Sequence, residues 1–161
     1  LQKKIADASF PVLCANIRSK AEGGSVPTVS STILTVGSTR VALFGLTVPM
    51  VTDRMSARHL SDFLFDDPIK TAEKLVPTLR EGADIVIALT HIGIKSDERL
   101  AESEKGIDLM IGGHTHVVLE EPKWVNGTPI VQAGSHGRYV GEVLLTPEGI
   151  TGRLIPVNPA E

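Results

Sequence analysis

Three of the five histidines fall in two short segments, ALTHIG (residues 88–93) and IGGHTH (residues 111–116), read as loops that each follow an apolar run. Imidazoles presented at the ends of buried strands suit metal coordination, because the scaffold is rigid while the ring nitrogen faces an open cleft. Gly93, Gly112 and Gly113 let the backbone turn sharply and come close to an ion or substrate. His114 and His116 stand two residues apart. In extended backbone their side chains leave on the same side, about the spacing of two ions in a binuclear cluster. Three histidines alone can hold zinc, yet no carboxylate accompanies them convincingly.

Other polar residues read less sharply. His59, in SARHLSDF, has neither glycine neighbours nor a strand before it, which points to a surface or packing role. Asp84 and Asp108 open apolar runs at the end opposite the histidines and make poor ligands. Asp97 and Glu98 are read as the start of a short helix, where acidic side chains favour its dipole. Arg138 reads as a solvated arginine. The single cysteine, Cys14, lies in FPVLCANI and reads as a buried, inert thiol; one cysteine excludes an internal disulfide.

The elements that must carry these groups follow from pattern. Residues 1–10 read as the tail of an amphipathic helix leading into a strand over residues 10–16. Runs over 32–36 and 40–46 form a hairpin around Gly37–Ser38. Residues 47–67 lack periodicity and read as a long loop with short helical turns on the rim of a cleft. Asp67 and Pro68 start a helix with apolar positions at 69, 72, 76 and 79, which Pro77 should kink or split. A buried strand over 84–89, a helix over about 96–104 and a strand over 107–111 make a βαβ unit. Both histidine motifs then share one sheet edge, at the carboxyl ends of its strands. Asn126–Gly127 signals a further hairpin, and alternating strands over 140–146 and 150–157 flank a turn at 147–149. Asn158–Pro159 resembles a domain exit.

At 161 residues and 42% hydrophobic content the chain fits one α/β domain with an adequate core. A net charge of −3 without a basic block argues against a nucleic acid polymer as partner. No apolar run reaches the roughly 18 residues needed to span a membrane, and no signal peptide is visible. The chain opens without an initiator Met, so the natural polypeptide is expected to begin further upstream.

ALTHIG, then DLMIGGHTH, then TPIVQAGSHGRYVGEVLL together resemble the calcineurin-like metallophosphoesterases, and more closely their 5′-nucleotidase branch, which includes cyclic-phosphodiesterase and thiosulfohydrolase relatives. The resemblance begins near FPVLCANI and covers almost the whole chain. It implies part of a four-layer α/β/β/α sandwich, with residues 1–161 as the C-terminal portion of the catalytic domain. It further implies two divalent metal ions (zinc, manganese, iron or similar) that activate water against a phosphate ester, with a nucleotide as the expected substrate. The positions of His91 and His114 match ligands of one ion, and that of His116 a ligand of the other. His136 would line the phosphate cleft or serve a supporting or structural role. The family's D-x-H, G-D and G-N-H motifs are absent here, so the bridging aspartate and the remaining catalytic groups are expected upstream of Leu1. Two further expectations follow. The chain alone should be a non-catalytic half-domain, and the sheet face it leaves open should drive self-association. An extracytoplasmic location is implied by the resemblance alone. Action of the parent on cyclic phosphodiesters or sulfur esters is the alternative.

Overall fold

The structure, a computed structural model, describes residues 2–157. The domain exit expected at Asn158–Pro159 lies outside the described residues. A short helix α1 (Gln2–Ala6) is followed by β1 (Ile17–Ser19), β2 (Ser31–Val36) and β3 (Thr39–Thr47). A 3-10 turn (Ser56–Leu60) and β4 (Phe63–Phe65) precede helix α2 (Pro68–Gly82). Then come β5 (Ile85–His91), α3 (Ile94–Ser103), β6 (Leu109–Ile111), β7 (Lys123–Val125), β8 (Thr128–Val131), β9 (Tyr139–Thr146) and β10 (Gly149–Pro156).

Six strands form the central sheet in the order β2-β3-β5-β6-β8-β7. Its four inner strands run parallel, whereas β2 and β7 are antiparallel edges. The β5–α3–β6 crossover is the expected βαβ unit, with Leu89 opposite Ile111 at the shared carboxyl end. Alternation sorts the faces. Ala42, Phe44 and Leu46 of β3, Val86 and Ala88 of β5, Met110 and Ile130 all point into one core against Ala72, Val76 and Leu79 of α2 and Leu100 and Ala101 of α3. The opposite face carries Leu89 and Ile111, each more than a third exposed. The β9–β10 hairpin stands over part of that face, where Ile111 and Val131 line a cavity with Val143 and Leu154. The chain thus supplies helix, sheet and hairpin layers, the α/β/β part of the sandwich.

Local chemistry explains most element ends. The Asp67 carboxylate accepts from the Ile69 and Lys70 amides at 2.9 and 3.1 Å, capping α2. Asn126 (φ 48) and Gly127 (φ 87) form the left-handed pair that a type I′ hairpin requires.

Several expectations are corrected. Of the kink or split expected at Pro77, the split does not occur: α2 is one helix, and Pro77 and Glu73 both lie on its exposed face, where water can satisfy the carbonyl that loses its partner. Residues 10–16 do not form a strand: the segment crosses other elements, with one bridge at Leu13–Val29 and the Ala15 amide donating to the Gly45 carbonyl at 2.8 Å. The loop over 47–67 contains the anticipated helical turn, but also β4, which pairs antiparallel with β1. Cys14 is half-buried rather than buried, and desolvation raises its thiol pKa, consistent with an unreactive group.

Candidate metal centre

His91 is the last residue of β5 rather than a loop residue, held in register opposite Thr47. Its carbonyl accepts from the Val48 amide at 3.1 Å, and its ring is solvent-facing. Glycine leaves room beside it: a Cβ on Gly113 would lie 3.0 Å from His91 Nδ1, so the ring would have to shift by a few tenths of an ångström.

The next strand end delivers the other histidines, though not by extended backbone. His114 has φ 78 and His116 has φ 56, so the expectation that two-residue spacing sends both rings to the same side of an extended segment does not apply. Left-handed backbone costs a non-glycine residue on the order of 1 kcal/mol or more, and such strain concentrates at functional sites. Among the described residues only four non-glycine positions have positive φ: His114, His116, His136 and the hairpin residue Asn126. Three of the four are histidines of the expected site, which directs attention to what that strain achieves.

It arranges the rings in two pairs. His91 and His114 meet edge-to-face with centroids 5.1 Å apart, and His91 Nε2 lies 3.4 Å from His114 Nδ1. A tetrahedral ion at about 2.0–2.1 Å from each nitrogen places them about 3.4 Å apart, so this pair fits one edge of such a coordination shell. His116 and His136 form the second pair, with centroids 6.1 Å apart, and His136 Nδ1 is 2.7 Å from Ser135 Oγ. No set of three histidine, cysteine or carboxylate groups stands close enough to hold an ion among the described residues.

Groups the sequence did not reveal hold this arrangement. Thr115 Oγ accepts from the Ile94 amide at 3.2 Å and so caps α3, whose N-cap residue Gly93 has no side chain to do so. The Gln132 side-chain oxygen, in the amide orientation that satisfies its neighbours, accepts from the His116 and Val117 amides at 3.0 and 3.1 Å. Asn16 is buried and ties Thr47, opposite His91, to Asp66 through bonds of 2.8–3.1 Å. Gln132 and Asn16 left a trace in sequence, each as a polar residue inside an apolar run; Thr115 left none.

Asp97 departs most from expectation. It does lie in the first turn of α3, but its side chain is fully buried and neither carboxylate oxygen has a hydrogen-bond partner. The Thr90 hydroxyl is near enough to ease its charge, but its single proton is directed to the Ile111 carbonyl, at 3.5 Å. Burial pushes the Asp97 pKa up from 3.8 to about 6. The folded state therefore holds this proton more tightly than the unfolded chain. Its contribution to stability is fully present below about pH 3.8 and is lost as pH rises through about 6. The charged form costs about 3 kcal/mol above that range.

The remaining candidates sit elsewhere. Asp84 accepts from the Arg40 amide at 2.7 Å, and Asp108 from the Val86 amide at 2.7 Å, both at the far end of the sheet. His59 is exposed on the 3-10 turn, and Arg138 is exposed.

No family model matches the chain. Individual relatives do. It is 37% identical over 129 residues to the trifunctional nucleotide phosphoesterase protein YfkN of Bacillus subtilis, covering 77% of this chain and 8% of that one. It is 32% identical over 167 residues to a snake venom 5′-nucleotidase from Gloydius brevicauda, covering 88% of this chain and 27% of that one. The chain belongs to the 5′-nucleotidase branch of the calcineurin-like metallophosphoesterases. A solved structure, the sulfate thiohydrolase SoxB of Thermus thermophilus, superposes with a TM-score of 0.84 at 27% identity, over 96% of this chain and 30% of that one. The chain therefore spans less than a third of the length of each of these relatives.

Proposed function

We propose that the complete polypeptide carrying this chain hydrolyses nucleotide phosphate esters with the help of two divalent metal ions. In this reading His91 and His114 contribute to one ion and His116 to the other, with His136 beside it on the substrate side. The 3.4 Å approach of His91 Nε2 to His114 Nδ1 is the observation that carries it, because two imidazoles from different strand ends converge at a ligand spacing. When bound, the ions would supply Lewis acidity toward the phosphoryl group and lower the pKa of a water. The chain's own work is positional: strand β5, the left-handed histidine loop and the turn after β8 hold four rings in two pairs. Bridging and anionic ligands would come from residues outside residues 1–161.

The nucleotide substrate rests on the YfkN and 5′-nucleotidase relatives. An extracytoplasmic location is supported by the venom origin of one relative, and no helix among the described residues is long and apolar enough to cross a membrane. A second reading, hydrolysis of a sulfur ester, is favoured by the SoxB likeness. Assaying the complete polypeptide with Mn²⁺ or Zn²⁺ on AMP, 2′,3′-cyclic AMP and a thiosulfonate separates the readings. Turnover of AMP above the other two is expected; preferential thiosulfonate cleavage would replace the phosphate reading. Residues 1–161 alone should leave all three substrates intact, and turnover of AMP by this piece would overturn its reading as a non-catalytic half-domain.

The open sheet face also bears on assembly. Leu89 and Ile111 on that face, and Val140, Leu144 and Ile155 on the β9–β10 hairpin, are all more than a third exposed. Isolated residues 1–161 should therefore self-associate at micromolar concentration. Static light scattering giving a monomer mass would contradict this.

A further inference from the structure

A buried carboxyl group with no hydrogen-bond partner is among the least favourable things a core can contain. Asp97 is such a group: its side chain is fully buried, and both oxygens are unpartnered. Its surroundings in the first turn of α3 are those of the main core, where Leu100 and Ala101 of the same helix are fully buried. An aliphatic residue would meet the packing requirement without the electrostatic cost. Packing alone does not account for a carboxyl here.

Its location suggests what does. The Asp97 carboxyl lies directly behind Gly112, where a Cβ would come within 2.7 Å of Asp97 Oδ2. Gly112 is anchored in turn by its amide bond to the Val131 carbonyl at 2.8 Å. Thr90, the other buried polar residue near the carboxyl, immediately precedes His91. Asp97 thus lies between the backbone that delivers His91 and the backbone that delivers His114. The same helical turn also receives Thr115 Oγ at the Ile94 amide, so two separate contacts bind α3 to the histidine loop. An anionic group held in a low-dielectric layer behind imidazole ligands also favours a cation in front of them.

We propose that Asp97 is a positioning residue of the histidine site, setting the relative placement of His91 and His114 from behind at the expense of fold stability. The inference rests on the reading of these histidines as metal ligands. Groups that orient ligands from behind typically change metal affinity by about 10–100-fold.

The test uses Co²⁺ alone, added to the metal-free complete polypeptide and followed by its d–d absorption, with melting of the metal-free protein recorded at pH 8. Asp97→Asn is expected to weaken Co²⁺ binding at least about 10-fold and alter the d–d bands, while the melting temperature stays level or rises. Asp97→Ser is carried in parallel, so that the result does not depend on one variant folding. Unchanged affinity and spectrum in the variants, with wild type binding Co²⁺, would overturn the positioning role and leave the ligand reading intact. Affinity and melting temperature falling together, or loss of the fold in both variants, would make Asp97 a structural residue and also overturn it. Failure of wild type to take up Co²⁺ would remove the ligand reading and this inference with it.

Discussion

His114→Ala in the complete polypeptide is expected to lower kcat/KM for AMP hydrolysis by about 10²–10³-fold or more, with folding retained. The size follows from removing a group that stabilises charge developing in the transition state, where loss of even one donor costs about 10²–10³. His114 faces His91 across 3.4 Å, so its loss leaves His91 without the partner nitrogen that defines the coordination edge. Folding should survive because the imidazole is exposed and the backbone of the loop is held independently by Thr115, Gly112 and Gln132. His59→Ala, on an exposed 3-10 turn, is the matched control and should leave kcat/KM within about twofold. Steady-state kinetics with added Mn²⁺ checks both. Equal activity of His114→Ala and wild type would remove His114 from the reaction.

The second large effect is on stability. Phe44→Ala should destabilise the domain by about 3–5 kcal/mol, read from the urea midpoint at constant m-value. Phe44 is fully buried in the middle of β3, opposite Ser31 of β2 and Ala88 of β5. Its ring belongs to the core between the sheet and the helices, so truncation leaves a cavity that α2 cannot readily close. A loss of that size is a large part of the roughly 5–15 kcal/mol that holds a typical domain folded. Leu34→Ala, on edge strand β2 and 47% exposed, should cost much less. Similar losses at the two positions would contradict the division of the sheet into a covered and an open face.

These two residues also show what a sequence can disclose. His114 was legible because an apolar run followed by glycine and histidine is a local pattern, and the parallel strands that bring it to His91 follow from the βαβ rhythm. Phe44 is legible only as part of a strand: residues 41–46 are apolar on both faces, and it is the cover of α2 and α3 that selects the face carrying Phe44 as the core. For Asp97 the place in the first turn of α3 is legible and the burial is not. Acidic residues in the first turn of a helix are normally exposed, and nothing within a few positions reveals that the residues around 112 lie over this one. His116 and His136 were visible as residues, but their left-handed backbone was not, because that conformation is imposed by Gln132 and the turns around them. Pro77 misled by propensity, since a helix tolerates it where the freed carbonyl meets water. Residues 10–16 misled by composition: an apolar run suits a strand or a crossing segment equally well, and hydrogen-bond partners distant in sequence decide between them.

The Thr115 hydroxyl, which caps the N-terminus of α3, has one more implication. Within the tripeptide His114-Thr115-His116, the middle residue belongs to the architecture and its two neighbours to the chemistry. An inserted or deleted residue there would do more than shift a ligand, because it would uncap a helix in the same stroke. The spacing of the two histidines is therefore fixed from the side that faces away from any metal: the loop can change its length only if the helix first gives up its end.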